Sequence, residues 1–307
     1  MRLVRFKKLD LNLLVALDVL LKERSVSRAA EVLNLSASAM SNSLARLRDY
    51  FDDELLVQIG RKMELTPRAE NLHAAVRDVL LRIDSTIADQ PVFDPRGSDR
   101  VFRIFASDYT QMVLVPSLLA LAAKAGSTVR FELLPQVSTP HKQLERGEAD
   151  LLIIPTGFTS PDHPREVLYY EDFVCIVWKD SAIAQGELTF DRYVNAGHVV
   201  MQPGGGQADA FEGWFLKRYG VTRRMAVSTY SFVTLPAMVV GTEYVATVHA
   251  RIARRMVQAF PLVIRPTPMP FDRMEQSVQW HKFRTNDPGL VWLRGLLAQA
   301  SQRIDDV

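Results

Sequence analysis

The spacing of apolar residues changes period near residue 100, and that change divides the chain into two kinds of structure. Upstream, Leu11, Leu14, Leu17 and Leu21 recur at helical steps, which predicts an amphipathic helix from about Asp10 to Lys22. Ser25 or Ser27 can cap a short second helix carrying Ala29, Ala30, Val32 and Leu33. A tight connection through Asn34-Leu35 leads to Ser36, a further cap, and to a third helix with Met40, Leu44 and Leu47 on one face. Leu55–Ile59 and Met63–Leu65 then flank Gly60-Arg61-Lys62, the pattern of two short strands around a basic turn. Thr66-Pro67 starts a long helix, in which Ala69, Leu72, Val76, Val79, Ile83 and Ile87 form a stripe suited to a partner helix.

Gln90 to Arg100 mixes charges with two prolines and a glycine, as a hinge does. Beyond it, Val101–Ala106, Val129–Leu134, Leu151–Ile154, Phe173–Trp178, His198–Met201, Met225–Thr229, Tyr244–Val248 and Leu262–Arg265 have the character of strands. Helical stretches such as Gln111–Lys124, Ala208–Tyr219 and Thr234–Val240 lie between them, which predicts an α/β module with largely parallel sheets. At 307 residues, two domains are the natural expectation. The division is 1–66, 67–88 for the long helix, 89–100 for the hinge, and 101–307.

No apolar run is long enough to span a membrane. The basic start, Met1–Lys8, is followed by Asp10, Asn12 and Asp18, a poor signal peptide. A single cysteine, Cys175, excludes an internal disulfide and suits the cytoplasm; its apolar strand marks it as a buried thiol. The six histidines show no metal-ligand spacing, and Pro203-Gly204-Gly205-Gly206-Gln207 lacks the Lys-Ser/Thr of a phosphate loop. No metal, cofactor or catalytic constellation is expected, hence no enzyme. An enzyme with a helical oligomerisation arm, or a ligand-binding module that ignores DNA, remains the competing reading.

The net charge of +2 is uninformative, but its distribution is not. Residues 1–8 carry four bases without an acid, and Asn34–Arg48 carries two arginines without one. In a helix-turn-helix the second helix enters the major groove, so its outer face needs small or hydrogen-bonding residues. That face offers Ser36, Ser38, Ser41, Asn42 and Arg46, the Ala29-Ala30 pair permits close helix approach, and Arg61 and Lys62 can meet flanking phosphates. The plainer alternative is a helical bundle with solvated serines.

Four segments carry a family likeness: Leu9-Asp10-Leu11-Asn12-Leu13-Leu14, Ser25-Val26-Ser27-Arg28-Ala29-Ala30, Leu35-Ser36-Ala37-Ser38-Ala39-Met40-Ser41 and Leu65-Thr66-Pro67-Arg68-Ala69. The chain resembles the LysR-type transcriptional regulators over its whole length. Phe93-Asp94-Pro95, Cys175, Gln279-Trp280-His281 and Asn286-Asp287-Pro288 resemble the branch of flavonoid-responsive nodulation activators and salicylate-type aromatic-catabolism activators. It departs from the family at Ala37-Ser38, where Gln-Pro is usual, and at His249, where proline is usual. Glu171 stands where the aromatic-acid branch has a ligand-binding histidine, which argues against salicylate as the effector.

The resemblance implies an α+β multidomain chain: a winged helix-turn-helix, a linker helix that dimerises, and a periplasmic-binding-protein-like effector domain. That domain would have two Rossmann-like subdomains, 101–168 plus 268–307 and 169–267. It implies an activator working as a dimer or tetramer on an interrupted palindrome, with RNA polymerase as partner and Arg28 among the DNA-facing residues. A small aromatic effector would bind between the subdomains at the carboxyl ends of strands. Those positions hold Ser107, Asp108, Tyr109, Met112 and Thr156 on one side, and Phe173, Met201, Gln202, Phe232 and Thr234 on the other. Ser107 or Asp108 is equally suited to cap the next helix, and Tyr109, Phe173 and Phe232 equally suited to a core.

Overall fold

In the computed structural model, the described residues are 9–60, 62–87, 92–135, 139–202, 220 and 222–305. The chain divides into two compact units near residue 90. In the first, α1 (Leu11–Glu23), α2 (Val26–Val32) and α3 (Ala37–Phe51) precede a hairpin of β1 (Leu56–Ile59) and β2 (Lys62–Leu65), and α4 (Pro67–Ile87) follows. Each of the first three helices starts on a side-chain cap. Asp10, Ser25 and Ser36 accept from the backbone N–H of Leu13, Arg28 and Ala39. Asn34, at φ 53°, makes the reversal between α2 and α3, a left-handed conformation that asparagine tolerates.

Leu13, Leu17, Ala29, Ala30, Met40, Leu44 and Leu47 bury together as the core of this unit. The stripe on α4 is divided. Ala69 and Val76 are buried in that same core, whereas Val79 is 47% exposed. Much of the surface that the sequence assigns to a partner helix is thus used within the unit.

Among the described residues, the second unit holds two five-stranded sheets. The first joins β3 (Val101–Ala106), β4 (Arg130–Leu134), β5 (Leu151–Pro155), β6 (Arg165–Glu171) and β12 (Met274–Trp280) in the order β4-β3-β5-β12-β6. The second joins β7 (Phe173–Trp178), β8 (Gly197–Met201), β9 (Arg224–Thr229), β10 (Tyr244–His249) and β11 (Leu262–Pro266) in the order β11-β7-β10-β8-β9. The expectation of largely parallel sheets is corrected. β12 runs antiparallel to both its neighbours, as does β7. These are the strands by which the chain returns to one lobe and enters the other, so their direction is set by the crossover.

The helix expected over Gln111–Lys124 is two, α5 (Asp108–Val113) and α6 (Val115–Lys124), broken at Leu114 where Pro116 supplies no N–H. Among the described residues, the remaining α-helices are α7 (Pro140–Glu145), α8 (Phe190–Asn195), α9 (Leu235–Val239), α10 (Ala250–Ala259) and α11 (Pro288–Ser301). The helix expected at 208–219 and the glycine run at 204–206 lie outside the described residues.

The segment assigned to a hinge is anchored over most of its length. The Phe93 ring sits 5.9 Å from Phe102 and 5.4 Å from Trp292, and the Pro95 carbonyl accepts from the Thr128 N–H. Arg100 makes two 2.7 Å bonds to Asp287, the N-cap of α11. Although burial works the other way, Arg100 and Arg284 hold the Asp287 carboxyl down at about 2.

Candidate functional site

The first site is the outer face of α3. Ser38, Ser41, Asn42 and Arg46 are exposed along it, with no acid among them, while Met40, Leu44 and Leu47 hold its inner face. Ser36 is already engaged as the cap, and its hydroxyl lies 3.0 Å from that of Ser38. Arg46 bonds Asp10 at 3.3 Å across to the start of α1. The Leu13 N–H and then Arg46 hold the Asp10 carboxyl below its ordinary range. Arg28 is turned onto the Glu23 carbonyl at 2.9 Å. Arg48, at the end of the same helix, reaches the carbonyls of Glu54 and Leu56 and thereby ties α3 to the hairpin. Lys62 is exposed at the start of β2, paired in register with Ile59; Arg61 lies outside the described residues.

The second site lies between the two sheets. Each of β3, β5, β8, β9 and β10 delivers its carboxyl end there, which is how residues distant in sequence come together. Ser107 caps α5 and bonds Thr110. The Asp108 carboxylate crosses to the other lobe, accepting from the Ser231 hydroxyl at 2.7 Å and the Val233 N–H at 3.1 Å. Thr156 bonds Ser277 at 2.7 Å, Gln202 donates its N–H to the Thr229 carbonyl, and exposed Thr234 lies 3.1 Å from the Thr229 hydroxyl. Met112 is half-buried, and its carbonyl accepts from Arg255 on α10.

Tyr109, Phe173, Met201 and Phe232 are buried in one shared core, so these candidates are packing residues in this conformation. What binds them into a site is a set of residues the sequence reading did not assign to it. The His249 ring stacks on Tyr109 at 4.0 Å and lies 4.7 Å from Phe232 and 5.1 Å from Phe173. Burial alone pushes His249 down to about 3, so its imidazole is neutral. The Tyr109 hydroxyl donates to Glu171 at 2.5 Å. Burial, with Tyr169 and Glu171 nearby, raises the Tyr109 phenol well above its ordinary value. Arg251 bonds Glu171 at 3.0 Å and Asp305 at 2.8 and 3.0 Å.

Glu171 and His249 were both visible in the sequence as departures from a family pattern. Arg251 was not, because only the fold brings it within reach of a strand 80 residues earlier. Cys175 is fully buried, and burial pushes its thiol up to about 12, the state of an unreactive sulfur. Among the described residues, no helix is long and apolar enough to cross a membrane.

Residues 11–70 match the family model for the bacterial regulatory helix-turn-helix protein, lysR family, and residues 95–302 match that for the LysR substrate binding domain. Nodulation protein D 2 of Rhizobium leguminosarum bv. phaseoli is 40% identical over 301 residues, covering 98% of this chain and 95% of that protein. Nodulation protein D 1 of Rhizobium tropici is also 40% identical over 301 residues, with 98% of each chain covered. The regulatory domain of MexT, a transcriptional activator in Pseudomonas aeruginosa, superposes with a TM-score of 0.58 at 25% identity, over 66% of this chain and 98% of that one. A full-length OxyR cysteine variant from the same organism superposes with a TM-score of 0.77 at 19% identity, over 96% and 95% of the two chains, a likeness of fold.

Proposed function

The chain belongs to the lysR family of bacterial transcriptional regulators, being similar throughout to nodulation D activators, and from that premise we propose how its parts divide the work. The outer face of α3 reads an operator through Ser38, Ser41 and Asn42, with Ser36 fixing the helix start and Arg46 on the adjoining phosphate. Arg28, Arg61 and Lys62 meet the flanking phosphates. The observation that carries this reading is the capped helix itself, whose exposed face offers hydroxyl, amide and guanidinium groups over its first three turns, its single acid, Asp49, standing in the last turn.

Two chains pair through α4, where Val79 remains exposed beside half-buried Leu72 and Ile83, and place two such helices on the halves of an interrupted palindrome. Dimers associate further into a tetramer. A small aromatic effector acts between the lobes at Ser107, Asp108, Tyr109, Met112, Thr156, Phe173, Met201, Gln202, Phe232 and Thr234. The regulator works in the cytoplasm, engages RNA polymerase and catalyses no reaction.

Binding to the DNA upstream of its own gene, followed by fluorescence anisotropy over a range of salt, tests the DNA-reading part. Arg46→Ala is expected to weaken binding and to lower the salt slope by about one for each operator half-site, as loss of one phosphate contact does. Its fold is expected to be unaltered, because the ion pair it loses is exposed. An unchanged affinity and slope would remove Arg46 from the interface, and no binding by the wild type at low salt would defeat the reading altogether.

A further inference from the structure

The carboxyl group of Glu171 ends β6 with 1% exposure and collects four donors. They are the Tyr109 hydroxyl at 2.5 Å, Arg251 Nη1 at 3.0 Å, and the backbone N–H groups of Asp172 at 3.1 Å and Arg251 at 3.3 Å. The Arg251 N–H belongs to the first turn of ten-residue α10, where the helix dipole adds to the attraction for an anion. A guanidinium, a phenol and two amides converging on one point are the groups with which proteins hold a free carboxylate. They come from both lobes, Tyr109 from α5 and Arg251 from α10.

A second observation stands beside this cradle. His249 is 4% exposed, and its Nδ1 has no hydrogen-bond partner among the described residues, although its ring is enclosed by Tyr109, Phe173 and Phe232. Buried polar atoms are rarely left unpaired without a reason. One unused nitrogen among packed aromatic rings therefore adjoins a carboxylate cradle, a pairing that matches a flat ring bearing an acid group.

We infer that this is an anion-binding ligand subsite which the chain fills with its own side chain. Glu171 thereby sets the charge class of what binds between the lobes. A second carboxylate beside it would meet a like charge in a site screened from water, so the wild type takes aromatic ligands that lack an acid group. Removing the Glu171 carboxylate frees the donors, and the site then takes a small aromatic monocarboxylate. Asp305 still partners Arg251 in that variant, so the incoming anion restores the charge balance that Glu171 supplied. Only the consequence for gene control rests on the reading that effectors act between the lobes.

Benzoate, with benzamide as its uncharged isostere, is titrated calorimetrically into the full-length wild type, E171A and the double variant E171A/R251M. E171A is expected to bind benzoate at least about tenfold more tightly than the wild type, and to prefer it to benzamide, with the gain lost when Arg251 is also removed. Its melting temperature is expected to rise with the logarithm of benzoate concentration. Folded E171A that ignores benzoate, or a wild type that binds it equally well, overturns the inference. If E171A does not fold alone, refolding in benzoate or benzamide decides the matter: recovery with the acid alone supports the inference, and recovery with neither or both overturns it. Operator binding by the wild type is scored in the same preparations, so a failure of the regulator reading is seen separately.

Discussion

Replacing Arg251 by methionine is expected to destabilise the effector unit by about 3–5 kcal/mol, the usual cost of leaving a buried charge without its partner. The Arg251 side chain is 16% exposed and that of Glu171 only 1%, so water cannot replace the lost guanidinium. The same substitution removes a donor from the exposed Tyr170 carbonyl and releases Asp305. Removing Glu171 instead is expected to cost less, because Arg251 keeps its bidentate bond to Asp305. Changing Glu171 and Arg251 together to uncharged residues of similar size is expected to recover much of the loss, making the two substitutions non-additive. Urea unfolding checks this well, because all four tryptophans lie beyond residue 100 and report on the effector unit alone. Additive losses, or a change below about 1 kcal/mol for Arg251→Met, would mean that the pair is solvated like a surface bridge.

The importance of Arg251 was not legible in the sequence, and the reason is physical. Helix α10 presents Arg251, Arg254 and Arg255 within one decapeptide, which by composition is an ordinary solvated helix. Its partners sit on β6 and at the chain's end, and no local spacing encodes that distance. The strand β12 was missed for a related reason. Its Gln276, Ser277 and Gln279 are polar yet at most 2% exposed, so the apolar pattern that marks a strand is absent. Their burial is sustained by side-chain bonds that only the folded chain supplies. Gln279, for instance, donates to the carbonyls of Ser160 and His163 and accepts from the Ser160 N–H.

Where local chemistry decides the structure, the sequence was sufficient. Ser36 capping α3, Thr66 receiving the Ala69 N–H at the start of α4, and Asn34 in the turn each act over three or four residues. The candidate DNA-reading face belongs to this class, since one helix carries it all. The candidate effector residues do not. Their positions after strands could be listed from the sequence, but the choice between core and pocket depends on the opposite lobe. That lobe currently seats Tyr109 against His249, Phe232 and Glu171.

Acid is expected to loosen the effector unit well before its carboxylates titrate. His249 is held down at about 3 and His198 at about 4, in both cases chiefly by burial. Above pH 6.5 these imidazoles are neutral whether the chain is folded or not, and they cost nothing. As pH falls below 6.5, the unfolded chain takes up protons that the folded chain refuses, so each such imidazole removes about 1.4 kcal/mol per pH unit until its folded pKa is approached. The lowered carboxylates act elsewhere. Asp287 and Asp305 contribute stability that is complete above their unfolded value of 3.8 and is lost only below it. Between pH 6.5 and 5 the decline therefore belongs to the histidines. His249→Phe should lessen that slope by about one proton, while retaining a ring between Tyr109, Phe173 and Phe232 and removing the unpaired Nδ1. Urea midpoints followed by tryptophan fluorescence at pH 7.5, 6 and 5 test this, with the pH values chosen to straddle the unfolded histidine pKa of about 6.5. A wild type whose stability stays flat over that range would show that His249 gains its proton as easily folded as unfolded, and the enclosed neutral imidazole between the lobes would have to be abandoned.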